Sequence, residues 1–173
     1  MKITNLLVLL FIAFLPNLLS AQDSSDSFQR KGRILIETGY SFSSTFLGGS
    51  TGASVLLIDG DNVTTLSVNG GYFISDDFAI KGRLGLINSG DAIYNFSVGA
   101  KYYINGKIPV ELNGGLISLP TFFSGRESLF QANGIIGYGV ALAPNINIEP
   151  SFGILLIEGG VSTQLGVTFA MFL

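Results

Sequence analysis

The chain has no histidine, no cysteine and no tryptophan, and only 12% of its residues carry charge. Without histidine the commonest general base and metal ligand is missing, and a Ser-His-Asp arrangement cannot be assembled. Without cysteine there is no disulfide framework and no cysteine-borne lipid anchor, and zinc, haem and thiol chemistry lose their usual ligands. The reading is therefore no metal and no cofactor. Long apolar runs are also scarce. Beyond the first residues, no stretch approaches the ~18 apolar residues of a spanning helix. A basic stripe is missing too, which argues against nucleic acid as a partner.

What is present starts with an export signal expected over residues 1–21. Lys2 gives the positive end, Leu6 to Leu15 the apolar stretch, and Pro16 to Ala21 lead to a cut after Ala21. The rest holds eight basic residues against twelve acidic ones, mildly acidic and about half the charge density of a soluble domain. It suits one domain. A charge-poor, glycine-rich, exported chain without apolar helices can enter a membrane by closing a sheet on itself, so that every backbone group is paired.

Alternation carries that argument further. Phe78, Ile80, Gly82, Leu84 and Leu86 fall on one side of an extended run, and Ala79, Lys81, Arg83, Gly85 and Ile87 on the other. The same period runs from Val161 to Leu173. Eight strands are expected, near 33–44, 63–74, 78–88, 92–104, 108–118, 129–143, 146–157 and 161–173. Ser75-Asp76-Asp77, Asn105-Gly106-Lys107 and Ala143-Pro144-Asn145 are tight turns of suitable residues. Segments 45–62 and 119–128 are longer loops. Short turns at one rim and variable loops at the other are the habit of outer-membrane barrels. The expected layout is a short periplasmic arm over 22–32 and a barrel over 33–173. The fold class is all-β, an eight-stranded antiparallel up-and-down transmembrane barrel with a filled polar lumen.

Each strand then has a lipid face and a lumen face. The apolar face carries Ile34 and Ile36; Leu66, Val68 and Tyr72; Tyr94, Phe96 and Tyr102; Val110, Leu112 and Leu116; Phe130, Ile136 and Val140; Phe152, Ile154 and Leu156. The other face has a glycine in every strand, among them Gly39, Gly71, Gly85, Gly99, Gly115 and Gly153. Eight strands enclose a space only wide enough for side chains, so small residues there relieve crowding. That face also sets Glu37, Glu111 and Glu149 against Lys81, Arg83 and Lys101. Three acids and three bases balance, and the six are read as a lumen ion-pair network, not as acid–base catalysts. The expectation is a plug and not an enzyme. A soluble lipocalin-like barrel would invert the faces. It would crowd its interior with large apolar residues and leave too little charge to cover its exterior.

Other signals are weak. Asp59-Gly60-Asp61-Asn62 lacks EF-hand spacing and reads as a polar loop tip. Gly134-Ile135-Ile136-Gly137-Tyr138-Gly139 has its glycines in the wrong order for a nucleotide loop and reads as barrel wall. One set is less bland. Ile87, Ile117, Leu155 and Ile157 fall on the lumen face at the loop-side ends of their strands, near the apolar loop residues Phe122 and Phe123. They form either a hydrophobic lid or a rim pocket for a lipophilic ligand.

Asn69-Gly70-Gly71-Tyr72-Phe73-Ile74-Ser75-Asp76-Asp77 and the closing Gly166-Val167-Thr168-Phe169-Ala170-Met171-Phe172-Leu173 resemble the small outer-membrane barrels of the OmpA/OmpX type. The Bacteroidota form of such domains is the nearer likeness. The resemblance covers residues 33–173 and implies an outer-membrane location, outer-membrane lipid as the surroundings, insertion by the barrel-assembly machinery and a monomer. It implies no single shared activity. The family usually ends on an aromatic residue; here Leu173 is last and Phe172 penultimate.

Overall fold

The computed structural model describes residues 28–43, 52–58, 61–88, 91–120 and 125–173. The expected signal peptide, the start of the arm, and Phe122 and Phe123 lie outside the described residues. Ten strands form one antiparallel sheet: β1 (Ile34–Ser43), β2 (Gly52–Ile58), β3 (Asp61–Ser75), β4 (Phe78–Asn88), β5 (Ala92–Ile104), β6 (Ile108–Pro120), β7 (Arg126–Gly137), β8 (Val140–Ala143), β9 (Ile146–Ile157) and β10 (Gly160–Phe172). The order β1-β10-β9-β7-β6-β5-β4-β3-β2 closes through an extra β1–β3 pairing. The sheet is thus an eight-position barrel. β8 continues β7 along β9, and β2 is a supernumerary strand folded back on β3.

Two expectations about strands need correcting. The loop over 45–62 contains β2, whose run Gly-Ala-Ser-Val-Leu-Leu-Ile has no period-2 alternation to announce a strand. The expected strand 129–143 begins earlier, at Arg126, and is interrupted at Tyr138 and Gly139. There the β6–β7 ladder has ended, and the Gly139 N–H donates to the Lys107 carbonyl in the neighbouring turn. Val140, just beyond, has the outward parity but is covered.

The two faces separate as expected. Outward Leu84 is 62% exposed and Leu112 67%, while inward Glu37 and Lys101 are 1% and 2% exposed. Greasy exterior and enclosed charge are the arrangement of a membrane-spanning barrel and the reverse of a lipocalin. Exposed Tyr72 and Tyr102 stand at the short-turn end and Tyr94 at the loop end, where a ring bridges hydrocarbon and headgroups.

The short-turn end carries the apolar core. Leu35, Phe73, Ala79, Tyr103, Ala170 and Phe172 are buried together inside the barrel mouth. The rings of Phe73, Tyr103 and Phe172 lie with centroids 6.0–6.1 Å apart in tilted and edge-on pairs, a favourable aromatic geometry. The chain before β1 crosses this floor. Phe28 stacks on Phe172 at 6.5 Å. The Gln29 carbonyl accepts from the Asp77 N–H at 2.8 Å, and the Gln29 side chain donates to the Gly106 carbonyl at 3.3 Å. Asp77 and Asn105 hold positive φ in the two turns concerned, a conformation that aspartate and asparagine tolerate better than most residues. Phe73→Ala should lower the unfolding free energy by about 3–5 kcal/mol, as large aromatic truncations in a packed core do, measured as the urea midpoint of the detergent-folded barrel.

Candidate functional site

Alternation sends every second side chain inward, so residues far apart in sequence meet in the lumen. Above the aromatic floor, Glu37 of β1 is ion-paired with both Lys81 of β4 and Lys101 of β5. Lys81 Nζ lies 2.5 Å from Glu111 Oε2 of β6, and Lys101 Nζ 2.5 Å from Glu149 Oε2 of β9. Neutral groups extend the chain of contacts. Tyr103 donates its hydroxyl to Glu149 Oε1 at 2.8 Å. Asn69 donates to Glu37 Oε2 at 3.0 Å. Asn113 donates to Glu111 Oε1 at 2.6 Å and to Asn133 Oδ1 at 2.8 Å. The network ties together seven of the eight barrel positions, from β1 round to β9. Each of these five charged side chains is buried, and burial of charge is tolerable only with such pairing.

Arg83 departs from the expected network. Five of the six expected members meet; Arg83 makes no hydrogen bond or ion pair among the described residues, and its Nε is buried without a partner. The reason is position. Arg83 stands one inward step along β4 from Lys81, where its ladder neighbours are Asn69 and Ser97 and not carboxylates. Parity placed Arg83 on the right face, but balanced counts do not assign partners.

The apolar set at the other end is inward as expected. Ile87, Ile117 and Leu155 are buried, and Ile157 is half-buried. Sequence reasoning missed the aromatic floor. Its signal was available, since Phe73, Tyr103 and Phe172 all have lumen parity beside short turns. It also missed Arg126, which lies 4.7 Å over the Tyr94 ring and donates to the Ala92 carbonyl and to Ser118. Its partners Tyr94 and Ser118 also line an outer-face groove of about 430 Å³, together with Leu66, Leu84, Phe96 and Leu116. Among the described residues no group of acidic side chains is arranged to hold a metal ion.

No protein-family model matches the chain, and no curated protein matches it. Solved structures do. The N-terminal β-barrel domain of Pseudomonas aeruginosa OprF is 15% identical and superposes with a TM-score of 0.56, covering 84% of this chain and 100% of that one. The Yersinia pestis outer-membrane protein Ail in a phospholipid nanodisc is 15% identical with a TM-score of 0.48, over 83% and 100% of the two chains. Neisserial surface protein A gives 12% identity and a TM-score of 0.45, over 80% and 95%. At such identities the likeness is one of fold. With the strand order, the outward apolar band and the enclosed charges, the OprF superposition establishes that this chain has the fold of the small eight-stranded outer-membrane barrels.

Proposed function

We propose that this outer-membrane barrel has a structural or surface-interaction role and that its lumen is plugged. The observation that supports the reading is the buried cluster of Glu37, Lys81, Lys101, Glu111 and Glu149 standing across the lumen directly above the aromatic floor. Carboxylates held on lysines are poor acid–base catalysts, and the chain has no histidine to replace them. The protein is therefore proposed to be no enzyme, to work as a monomer, and to reach the membrane through the barrel-assembly machinery. Planar-bilayer recording tests the plug: the wild-type barrel should give no steady large conductance, and persistent large channels would refute it.

A second reading rests on the buried apolar set at the loop-side end. Ile87, Ile117, Leu155 and Ile157 would line a rim pocket for a lipophilic ligand. Native mass spectrometry should then show co-purified lipid on the wild type and its loss on Ile117→Asp.

A further inference from the structure

We propose that the outer face of the barrel seats one lipid bearing a phosphomonoester, its phosphate on Arg126 and an acyl chain in the groove alongside. Arg126 is exposed at the start of β7, with lipid-facing parity and at the loop-side rim. Among the described residues every other base lies in the lumen or at the short-turn end. The side chain is held in place and does not simply reach for water. Its Nε donates to Ser118 Oγ at 3.0 Å, and its Nη2 donates to the Ala92 carbonyl at 2.6 Å and to the Ser118 carbonyl at 3.3 Å. The guanidinium lies 4.7 Å over the Tyr94 ring. All of these partners are neutral. Among the described residues Nη1 makes no hydrogen bond, and neither Asp91 nor Glu127 nor any other carboxylate pairs the charge. A guanidinium preset in this way, with its charge unmatched and one nitrogen open, suits phosphate oxygens.

The groove provides the rest of the seat. Tyr94 and Ser118, which hold Arg126, line its loop-side end. One outward step further from the rim, Leu84 pairs with Phe96 and Phe96 with Leu116, so three large apolar side chains stand side by side across β4, β5 and β6. All three are exposed. The groove volume of about 430 Å³ is within the range of small-molecule sites. A cation at the interface and hydrocarbon-binding surface toward the midplane reproduce the polarity of a lipid with its headgroup outward. The interface is also where an arginine facing lipid costs least. Any acyl chain could lie on the apolar wall, so selectivity for phosphate falls to Arg126. The inference rests on the outer-membrane location and does not depend on whether the lumen is plugged.

Native mass spectrometry of the detergent-folded barrel tests the seat with two probes, dioleoyl phosphatidic acid and dioleoylglycerol, which share their chains and differ in the phosphate. The wild type should retain one phosphatidic acid about tenfold more tightly than the diacylglycerol, the scale of one charge-assisted hydrogen bond. Arg126→Gln should bring the two lipids to within about twofold of each other. Phe96→Ala should weaken both alike, and Lys107→Gln at the opposite end should change neither. Excess inorganic phosphate should fail to displace the bound lipid, because the chain holds it as well. Equal retention of the two lipids by the wild type, unchanged selectivity in Arg126→Gln, or displacement by inorganic phosphate would overturn the assignment. Those results would leave the barrel binding lipid, whereas a wild type that retained neither probe would count against its place in the membrane as well. Arg126 and Phe96 are exposed, and unboiled gel mobility confirms that each variant is folded.

Discussion

Gly115→Ala should prevent the chain from reaching its folded, heat-modifiable form in detergent. A Cβ built at Gly115 would stand 2.0 Å from the Phe96 carbonyl oxygen and 2.6 Å from the Ser97 Cα. Both are backbone atoms of the adjacent strand, and both are fixed by the β5–β6 ladder. Ordinary overpacking of a core costs about 1–3 kcal/mol because side chains can give way; here only the ladder can move, so the loss should exceed that range. Gly82→Ala supplies the control. Gly82 has the outward parity, and its added Cβ would meet nothing within 4 Å. Alanine there should be neutral or stabilise by about 0.4–1 kcal/mol through the reduced freedom of the unfolded chain. Unboiled gel mobility and urea midpoints of the two variants compare them directly. Equal behaviour would mean that the interior glycines are not there for close approach.

The second large effect is expected at Glu37. Glu37→Gln takes from Lys81 and Lys101 one of the two carboxylates that each contacts, leaving Glu111 to Lys81 and Glu149 to Lys101. Removing one partner from buried ion pairs costs about 3–5 kcal/mol. Lys101→Met alone should also destabilise, because it takes the cation from both Glu37 and Glu149. The double variant should lose less than the sum of the two single losses, since either substitution alone already removes the Glu37–Lys101 contact, and a double-mutant cycle reads that coupling directly. Additive losses would show that the contacts around Glu37 contribute no mutual stabilisation.

Much of the architecture was legible because a barrel wall imposes one rule at nearly every position. Leu84 and Arg83 differ by one place in the chain and by the whole thickness of the wall in space, and parity alone separates them. The same rule placed Glu37, Glu111 and Glu149 with Lys81 and Lys101, although Glu37 and Glu149 stand 112 positions apart in the chain. Parity does not say who binds whom. The isolation of Arg83 follows from the register that sets Asn69 and Ser97 beside it, which no period along one strand encodes. β2 escaped for another reason: its run Gly-Ala-Ser-Val-Leu-Leu-Ile carries no period-2 alternation, so 45–62 read as one long loop. Phe73, Tyr103 and Phe172 have lumen parity, but an aromatic residue near a strand end suits the outer girdle as well as an inner floor, and composition does not separate the two.

A cylinder closes at its weakest ladder. β1 pairs β10 over nine positions, yet among the described residues it pairs β3 over only three, Ile34 to Ile36, and the upper edge of β3 is occupied by β2. Zipping of this barrel should therefore finish at the β1–β3 joint, and thermal breathing should begin there. Amide exchange at Ile36 and Gly70 would run faster than at Leu112 or Phe169 if the joint is the hinge of the wall.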